Sequence, residues 1–473
     1  MAAADTEVRR TKIVATIGPA SSSHEMVRAL ALAGVDAVRL NFSHGTHEEH
    51  AVQAGITRAV QAELGRPLAV IADLQGPKLR VGTLAEPRTL EAGETVVITG
   101  REPAQEGELP VAPAAIGEVL RPGHDVLIDD GLVRLVVEEV EDGRARCRVI
   151  VGGEVRSNKG VNLPGVPIPV PSLTGKDLVD LDFALGLGVD YVALSFVRAA
   201  ADVRGLRAII AERDSSARVI AKIEKSEAID DLDGIVTESD AVMVARGDLG
   251  VEIGAAMVPL LQKRIILRCL EAGKPVITAT QMLESMVEHA EPTRAEASDV
   301  ANAILDGTSA VMLSAETAIG TYPVEAVRTM DSIARAVEPS MSYRHQLPEA
   351  SGEIDVRRAM SNAATDLAEA LGAKAIVVAS ATGRTASEIA RLRPRRPMVG
   401  LSHHQPAVQQ MALEWGVLPL LMPSTVDVED LWVRTIETAR AAGLVDPGDL
   451  IVLIAGTAVN RTGSTNVIKV DHA

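Results

Sequence analysis

The chain has 473 residues, too many for one ordinary hydrophobic core, so we expect more than one domain. It is 47% hydrophobic but only 2% aromatic, so its core must consist of Ala, Val, Leu and Ile, with little material for stacking nucleic-acid bases. The formal net charge of −17 also argues against nucleic acid or an anionic membrane as a partner. Any anion-binding site must therefore be a local cluster of cations.

The cysteines and the first residues indicate a cytoplasmic protein. Cys147 and Cys269 are the only cysteines, and two lone thiols are typical of a reducing compartment. The opening residues, MAAADTEVRRTKIVATIG, contain no apolar segment long enough for a signal peptide. No run approaches the roughly 18 apolar residues that a membrane helix needs.

Short β-branched runs alternate with Ala- and Leu-rich segments of helical period through most of the chain. The predicted strands are residues 12–16, 36–40, 68–73, 190–196, 218–224, 240–246, 275–280 and 309–314. Predicted helices between them cover residues 24–33, 48–64, 201–213, 258–272 and 296–306. This regular alternation predicts an α/β fold, a (β/α)8 TIM barrel built from residues 1–73 and 172–338. A long open sheet is the alternative.

Two regions interrupt or follow this alternation. Residues 74–171 are rich in Val, Gly, Pro and Glu, which predicts an inserted all-β cap, or lid, domain over the barrel mouth, where active sites of such barrels lie. Residues 339–473 alternate again and predict a C-terminal α/β domain, with the linker inside 331–352. Its predicted strands are 374–380, 397–402, 416–421, 449–456 and 466–470.

Polar side chains cluster where the predicted barrel strands end. Residues i and i+2 of a strand share a side, and the pairs that follow this rule are Arg39 with Asn41 and Ser43, Lys222 with Glu224, and Arg246 with Asp248. The other strand ends carry Asp73, Thr280 with Gln281, and Ser314 with Glu316. Because these ends meet at one face of a barrel, we expect carboxylates suited to a hard divalent cation beside cations suited to phosphate oxygens.

Each of these groups also has a purely structural explanation. Lys222 with Glu224 is a plausible structural ion pair, Thr280 a helix cap, and residues 41–45 a polar turn. The stretch ADLQGPKLRVG (72–82), which mixes one acid and two cations around Gly-Pro, fits a surface hinge, a metal site or a phosphate cradle. Their convergence on one mouth favours a metal-assisted enzyme acting on a small phosphorylated anion, without saying which anion.

Longer motifs carry a resemblance to a known family. TKIVATIGPAS, VRLNFSHG, ADLQGPKLRVG, KGVNLPG, IAKIEKSEAIDDLDGI, VMVARGDLGVEI, ATQMLESM and VMLSAETAIGTYPVEAV resemble the pyruvate kinase family, in its order, and nearly span residues 11–328. The resemblance implies the same three-part architecture. It also implies transfer of the phosphoryl group of phosphoenolpyruvate to ADP, which gives pyruvate and ATP in the last step of glycolysis.

The resemblance also implies roles for individual residues. Glu224 and Asp248 would bind Mg²⁺, with Mn²⁺ as an alternative ion. The residues implied in catalysis are Lys222, Arg39, Thr280, Arg80 and Ser314. The residues implied in substrate binding are Arg39, Lys222, Gly247, Asp248 and Thr280. Those implied in binding nucleotide phosphates are Asn41, His44, Arg80 and Lys159.

Lys78 distinguishes this chain from many members of the family. Those relatives have glutamate at the matching position and need potassium, which is held by residues matching Asn41, Ser43, Asp73 and the Leu74 carbonyl. A lysine carries its own fixed monovalent charge, and the neighbouring Leu74, Gln75 and Val81 also resemble the members that do without potassium. We therefore expect an enzyme that needs Mg²⁺ but not potassium.

The C-terminal domain resembles the family's effector-binding domain. Hydroxyls and a glycine precede a predicted helix at Ser380, Thr382, Gly383, Arg384 and Thr385. This pattern fits either a phosphate nest or an ordinary helix cap, and the resemblance favours a nest for a phosphorylated allosteric effector, with 456–466 as a companion loop. The family also suggests a homotetramer. Two other functions stay open: a metal-dependent aldolase or lyase of phosphoenolpyruvate or 2-oxo acids, and a non-catalytic metabolite sensor.

Overall fold

A computed structural model describes residues 9–101, 104–105, 107–112, 116–341, 355–456 and 465–473. Eight parallel strands close into a barrel in which neighbours along the chain are neighbours in space. Numbered one to eight, the barrel strands are Lys12–Thr16, Ala37–Asn41, Ala69–Asp73, Tyr191–Leu194, Arg218–Ile223, Ala241–Ala245, Val276–Ala279 and Ala310–Leu313. The predicted TIM barrel is confirmed and the open sheet is excluded.

Helices surround this barrel, and the longer ones, such as Val258–Ala272 and Pro323–Val337, pack an apolar stripe against it. The α-helices are His24–Ala33, His47–Leu64, Gly175–Gly186, Ala200–Glu212, Ser226–Asp230, Leu232–Glu238, Arg246–Ile253, Val258–Ala272, Arg294–Leu305, Ala315–Ala318 and Pro323–Val337, with 3-10 turns at Glu284–Val287 and Glu338–Ser340. Residues 331–337 of the predicted linker are thus helical. Inside the barrel, fully buried side chains such as Val14, Ile71 and Ile220 leave no pore.

The inserted region folds around a hydrophobic core of its own. A second closed barrel is formed by Leu79–Val81, Thr95–Thr99, Glu108–Ala112, Asp125–Ile128, Val133–Glu141, Arg144–Val151 and Gly160–Asn162. Arg88–Leu90 pairs with Gly153–Val155 in a separate small sheet. One four-residue helix, Ile116–Val119, departs from the all-β prediction.

The C-terminal region is an α/β unit with a mixed sheet. Its strands, in spatial order, are Val417–Leu421, Met398–Ser402, Ala375–Ala379, Leu450–Gly456 and Thr465–His472, of which the last is antiparallel. Its helices are Val356–Leu371, Arg384–Ala390, Gln405–Met411 and Val428–Ala441. In the described part of the chain, no helix has the length and apolar character that crossing a membrane requires.

A hydrogen bond joins the two segments through which the chain leaves the barrel for the inserted domain and returns to it. The Gly76 N–H donates to a carboxylate oxygen of Asp177 at 3.0 Å, although 101 positions separate the two residues. Gly76 has φ +70°, and a Cβ there would meet Phe196 Cδ2 at 2.8 Å and Ser195 Cβ at 3.0 Å. Only glycine therefore fits this turn without strain.

Candidate active site

Lys222 lies at the centre of the barrel mouth. Its ammonium is 2.8 Å from Glu224 Oε1 and 3.2 Å from Asp73 Oδ1. Burial by itself lowers the pKa of Lys222, but the Asp73 and Glu224 carboxylates outweigh burial and the pKa is raised. The structure therefore keeps a fixed positive charge at the end of barrel strand five.

Arg39 supplies a second cation at the same mouth. Its Nε donates to Asp73 Oδ2 at 2.7 Å, and its Nη1 lies 3.2 Å from Thr16 Oγ1. Burial raises the pKa of Asp73, but Lys222 and Arg39 together lower it further than burial raises it. Asp73 is thus an ionised carboxylate that holds both cations in place.

Glu224 and Asp248 are neighbouring carboxylates. Glu224 Oε2 accepts a hydrogen bond from the Phe196 N–H at 2.8 Å. Burial raises the pKa of Glu224, Lys222 opposes that shift, and the negative charge of Asp248 adds to it. On the Asp248 side, the Lys78 ammonium lies 3.2 Å from Oδ1. Each carboxylate thus has an ammonium group beside it, Lys222 at Glu224 and Lys78 at Asp248. These positive charges offset the repulsion between the two neighbouring carboxylates.

This carboxylate pair fits a divalent metal ion. Both residues offer hard oxygen ligands, and Glu224 has its second oxygen fixed by a backbone donor. Among the residues that the structure describes, no group of three or more His, Cys, Asp or Glu could hold a metal. A metal bound by Glu224 and Asp248 would therefore need substrate or water oxygens to complete its coordination.

Thr280 and Gly247 meet at the ends of strands six and seven. The Gly247 N–H donates to Thr280 Oγ1 at 2.9 Å, which leaves the threonine hydroxyl hydrogen available to another acceptor. Thr280 and Gln281 have φ values of +68° and +54°, which are uncommon for non-glycine residues. Such strain persists only where the surroundings hold it, and it is concentrated at functional sites.

Arg246 fixes this strained turn. The prediction that it shares a side with Asp248 was wrong. Its Nη2 donates to the Thr280 carbonyl at 2.7 Å and to the Gln281 carbonyl at 3.2 Å. Its Nη1 pairs with Asp299. The strand ends at Ala245 and a helix begins at Arg246, so the alternation of side chains along a strand no longer applies.

Ser314 and Glu316 close the ring at strand eight. Glu316 is fully buried; one carboxylate oxygen accepts from the Ser314 N–H at 2.7 Å and the other from the Leu283 N–H at 3.0 Å. The Ser314 Oγ is buried and has no hydrogen-bond partner among the residues described. Glu316 thus joins the ends of strands seven and eight, beside a hydroxyl that is free to bond a ligand or water.

The predicted monovalent-cation region surrounds Asp73. Asn41 Oδ1 accepts from the Ser43 N–H at 3.2 Å, and the Leu74 carbonyl accepts from the Ser195 hydroxyl at 2.7 Å. Ser195 also accepts from Lys222 at 2.7 Å, and our sequence analysis missed it. The sequence analysis named no residue at the end of strand four, and counting two residues on from Ala193 finds this serine.

The predicted nucleotide contacts lie on both sides of the mouth. Burial lowers the pKa of His44, and so do the positive charges of three nearby residues, Arg80, Arg39 and Lys78. Arg80 donates to the Asn158 carbonyl at 3.0 Å, and the Lys159 ammonium is 2.8 Å from Asp129. Both cap cations therefore contact other groups of the cap in this structure.

The predicted effector residues lie at the start of helix Arg384–Ala390. Gly383 adopts φ +77° at its N-cap, and Thr385 Oγ1 lies 2.7 Å from Thr465 Oγ1. The Thr382 carbonyl accepts from Arg218 of the barrel. The Ser380 N–H donates to the Leu401 carbonyl at 2.9 Å. Most of the predicted companion loop, residues 457–464, lies outside the described residues.

Comparisons with known proteins agree with this geometry. The family model described as "Pyruvate kinase, barrel domain" matches residues 8–327, and "Pyruvate kinase, alpha/beta domain" matches residues 358–471. A pyruvate kinase of Agrobacterium vitis is 47% identical over 467 residues, covering 98% of this chain and 96% of the relative. One from Mycobacterium tuberculosis is 45% identical over 464 residues, covering 98% of each. Pyruvate kinase 2 of Synechocystis is 46% identical over 470 residues, covering 98% of this chain and 79% of the relative. The chain belongs to the pyruvate kinase family.

Proposed function

We propose that this chain transfers the phosphoryl group of phosphoenolpyruvate to ADP, giving ATP and enolpyruvate, which is then protonated to pyruvate. The pyruvate kinase activity rests on the two family matches and the near full-length relatives. The observation that carries it at the site is the Lys222 ammonium, buried and charged beside Glu224 at 2.8 Å. Neither the aldolase or lyase function nor the sensor function finds support in these comparisons.

The family works with a divalent metal, and we assign Mg²⁺, or Mn²⁺ in its place, to Glu224 and Asp248. A divalent ion there neutralises negative charge on substrate and phosphoryl oxygens. Its support in the chain is a pair of adjacent carboxylates, of which Glu224 is fixed by the Phe196 N–H.

The protein's own groups act on the phosphoryl group and on the enolate. Lys222 and Arg39 place two fixed cations, both held by Asp73, where negative charge develops on the transferred phosphoryl group and on the enolate oxygen. The N–H groups of Gly247 and Asp248, with the Thr280 hydroxyl, are suited to hold the substrate carboxylate. Because these groups are already oriented, little reorganisation opposes the transfer.

Protonation of the enolate carbon is assigned to the side of Thr280. The Thr280 hydroxyl accepts from Gly247 and so retains its own hydrogen for a bound water or for the substrate. Ser314, whose Oγ is buried without a partner in the described residues, continues this route with Glu316 behind it. The final proton donor is then a water that these hydroxyls position.

We assign ADP binding to the junction of the barrel with the cap. We place the cap at residues 74–171. Asn41 and His44 lie on the barrel side of the junction, and Arg80 and Lys159 lie in the cap. Closing the cap would bring both cations onto the ADP phosphates and exclude water. Lys159 would have to exchange its 2.8 Å contact with Asp129 for a phosphate oxygen.

Four further properties are proposed on the family resemblance. Lys78 makes potassium unnecessary, because it carries a monovalent charge at the mouth. A phosphorylated effector activates the enzyme at residues 380–385, together with the 456–466 loop. The enzyme is a homotetramer, and it works in the cytoplasm, where glycolysis takes place.

One assay tests the main proposal. Purified chain is mixed with phosphoenolpyruvate, ADP and Mg²⁺, and pyruvate is measured through a coupled dehydrogenase. We expect turnover that requires ADP and is lost in Lys222→Met. Absence of ADP-dependent pyruvate formation would overturn the proposal. Pyruvate formed without ADP would indicate a lyase or phosphatase activity instead.

A further inference from the structure

Glu252 is a buried carboxylate that has no role in the site described above. Its side chain is only 1% exposed. It lies on helix Arg246–Ile253, four positions after Asp248, so both carboxylates are on one face of that helix. Like charges at this spacing destabilise a helix, and a buried carboxylate is costly unless it is paired and hydrogen-bonded. The contacts of Glu252 must therefore offset its charge.

The partners of Glu252 are an N–H group, a hydroxyl and an ammonium. Its Oε1 accepts from the Gly165 N–H at 3.1 Å and lies 3.1 Å from Ser226 Oγ. Its Oε2 is 2.6 Å from the Lys225 ammonium. One carboxylate on the helix after strand six thus contacts both the end of strand five and the segment, residues 163–170, through which the cap returns to the barrel. We call residues 163–170 the return segment.

The contacts at strand five lie next to the carboxylates assigned to the metal. Lys225 and Ser226 directly follow Glu224, the first of these carboxylates. Asp248, the second, is on the helix that carries Glu252. Glu252 therefore joins the two elements from which the metal-binding oxygens come. Groups that orient metal ligands without touching the metal commonly decide how well the metal binds.

On the cap side, Glu252 contacts a turn that the sequence LPGV (163–166) favours. The Val166 N–H donates to the Leu163 carbonyl at 3.2 Å, and Gly165 has φ +68°. Proline at the second position and glycine at the third are typical of a type II turn. The Gly165 N–H takes no part in the hydrogen bond that closes this turn, so it is available to donate to Glu252.

Packing alone does not hold the return segment on the barrel. A cavity of about 40 Å³ lies at this junction, with Ile168 on one side and Phe196 on the other among its lining residues. Protein interiors are normally close-packed, and a void of this size removes contacts between its walls. Polar contacts must therefore hold the segment. Glu252 binds the Gly165 N–H, and Arg198 donates to the Ile168 carbonyl at 2.7 Å.

We propose that Glu252 is a positioning residue that connects the metal-binding carboxylates to the cap. This inference rests on the proposed assignment of Glu224 and Asp248 to the metal. Through Lys225 and Ser226, Glu252 fixes the separation of the two elements that carry these carboxylates. Through the return segment, it makes that separation depend on the position of the cap.

The Glu252 contact differs from the other contact between this helix and the cap. Lys78 lies 3.2 Å from Asp248 and competes with a metal ion for the same carboxylate. Gly165 donates to Glu252, which is not assigned to the metal, so this contact can persist whether or not a metal is bound. Glu252 is therefore suited to hold the cap on the barrel in both states.

Glu252→Gln tests this role without changing the size of the side chain. The three partners of Glu252 are donors, whereas a glutamine amide has one acceptor oxygen and an NH2 group that can only donate. In either orientation, this NH2 group faces Lys225 on one side or Gly165 on the other. The variant therefore loses one of the two connections. Ser226→Ala removes a single donor and is a milder variant of the same site.

Asp190→Asn is the matched control. Asp190 is also a buried carboxylate of the barrel, and it accepts from the Val70 N–H at 2.7 Å and pairs with Arg58 at 2.9 Å. It directly precedes strand four, at the end of the barrel opposite the metal site. This variant should lose stability for the same physical reasons as Glu252→Gln, without affecting the metal carboxylates or the cap.

Two measurements on the full chain, without substrates, test the proposal. Electron paramagnetic resonance of free Mn²⁺ gives the Kd for this ion, and hydrogen exchange with mass spectrometry follows the return segment in metal-free protein. In Glu252→Gln, we expect a Kd about tenfold higher. Exchange in the return segment should be at least about fivefold faster, while exchange in cap strand Thr95–Thr99 stays unchanged. Ser226→Ala should shift both values in the same direction by about twofold to threefold, and Asp190→Asn should shift neither.

An unchanged Kd for Mn²⁺ in Glu252→Gln, unchanged exchange in the return segment, or equal effects of Asp190→Asn would each overturn the proposal. Circular dichroism checks that each variant is folded. If Glu252→Gln does not fold, the same criteria apply to Ser226→Ala. Neither measurement needs turnover, so the result is separate from the proposed kinase activity. Failure of the unmodified chain to bind Mn²⁺ would refute the metal assignment itself, and this inference with it.

Discussion

The Lys78 ammonium lies 3.2 Å from the Asp248 carboxylate, so a cation at the start of the cap contacts a carboxylate in the first turn of the helix that follows barrel strand six. The two side chains are 25% and 24% exposed, so water and salt screen their attraction in part. The charge of Lys78 therefore acts on one of the two carboxylates that we assign to the metal. This contact connects the position of the cap with the charge at the metal site.

Lys78→Met should strengthen the binding of Mg²⁺. Removing a cation that competes for Asp248 lowers the half-saturating Mg²⁺ concentration about twofold to fivefold, the range for an ion pair of this exposure. Mg²⁺ titrations of the initial rate measure this change, with Lys263→Met, on an exposed helix surface, as the control. An unchanged or higher Mg²⁺ requirement in Lys78→Met would show that the contact does not compete with the metal.

Lys78 should also remove the need for potassium. We expect full activity of the unmodified enzyme in sodium- and potassium-free buffer with Mg²⁺, because the lysine supplies the monovalent charge. Lys78→Glu replaces this charge with an acid and should make activity depend on added potassium by at least about tenfold. The measurement is a potassium titration at constant ionic strength, with Lys263→Glu as the control. Strong activation of the unmodified enzyme by potassium would contradict this role.

Gly76→Ala should disturb the hinge more than a comparable change elsewhere in the cap. The new Cβ would lie 2.8 Å from Phe196 Cδ2 and 3.0 Å from Ser195 Cβ. Gly93→Ala is a matched control, since Gly93 has φ +87° but nothing lies within 4 Å of its Cβ position. Both variants should lose about 1–2 kcal/mol of unfolding free energy, because alanine disfavours the left-handed backbone at these positions.

Only Gly76→Ala should, in addition, reduce kcat, because the collision is with the strand-four segment that holds Lys222 through Ser195. Chemical denaturation and steady-state kinetics measure the two effects. Equal losses of stability and unchanged kcat in both variants would show that this turn can shift without reaching the site.

Arg246→Lys should lower kcat by about tenfold to a hundredfold with a smaller change in the KM for phosphoenolpyruvate. Lysine keeps the charge but lacks the rigid guanidinium fork that donates to the Thr280 and Gln281 carbonyls through Nη2 and to Asp299 through Nη1, so the strained turn relaxes and Thr280 shifts. Asp299→Asn keeps both carbonyl contacts and should have a much weaker effect. If the two variants were equally impaired, the ion pair with Asp299 would matter more than the turn.

Glu224→Gln should reduce kcat/KM by at least about a thousandfold, because it removes a metal-binding charge and leaves Lys222 with one fewer carboxylate. Asp182→Asn, an exposed carboxylate on helix Gly175–Gly186, serves as the control. The thermal midpoint of each variant, measured with and without Mg²⁺, separates loss of metal binding from loss of folding. A Glu224→Gln enzyme that Mg²⁺ still stabilises normally would remove this residue from the metal site.

The sequence by itself determined the architecture and the identity of the central residues. Short β-branched runs between helical segments predicted all eight barrel strands, because burial on both faces leaves a continuous apolar signal. The alternation of side chains along strand five placed Lys222 and Glu224 on one side, and the structure has them 2.8 Å apart. These are local properties of a strand, which a few neighbouring residues encode.

Tertiary structure alone decided which distant groups meet. Lys78 and Asp248 are separated by 170 positions, and only the return of the cap over the mouth brings them together. Arg246 points away from the mouth for two reasons. A helix starts at this residue, and its guanidinium donates to the Thr280 carbonyl. A pocket lined by Arg218 of the barrel and Arg384 of the C-terminal domain likewise exists only where these two parts of the chain meet. Contacts of this kind depend on how separate elements pack, and no local pattern of residues records them.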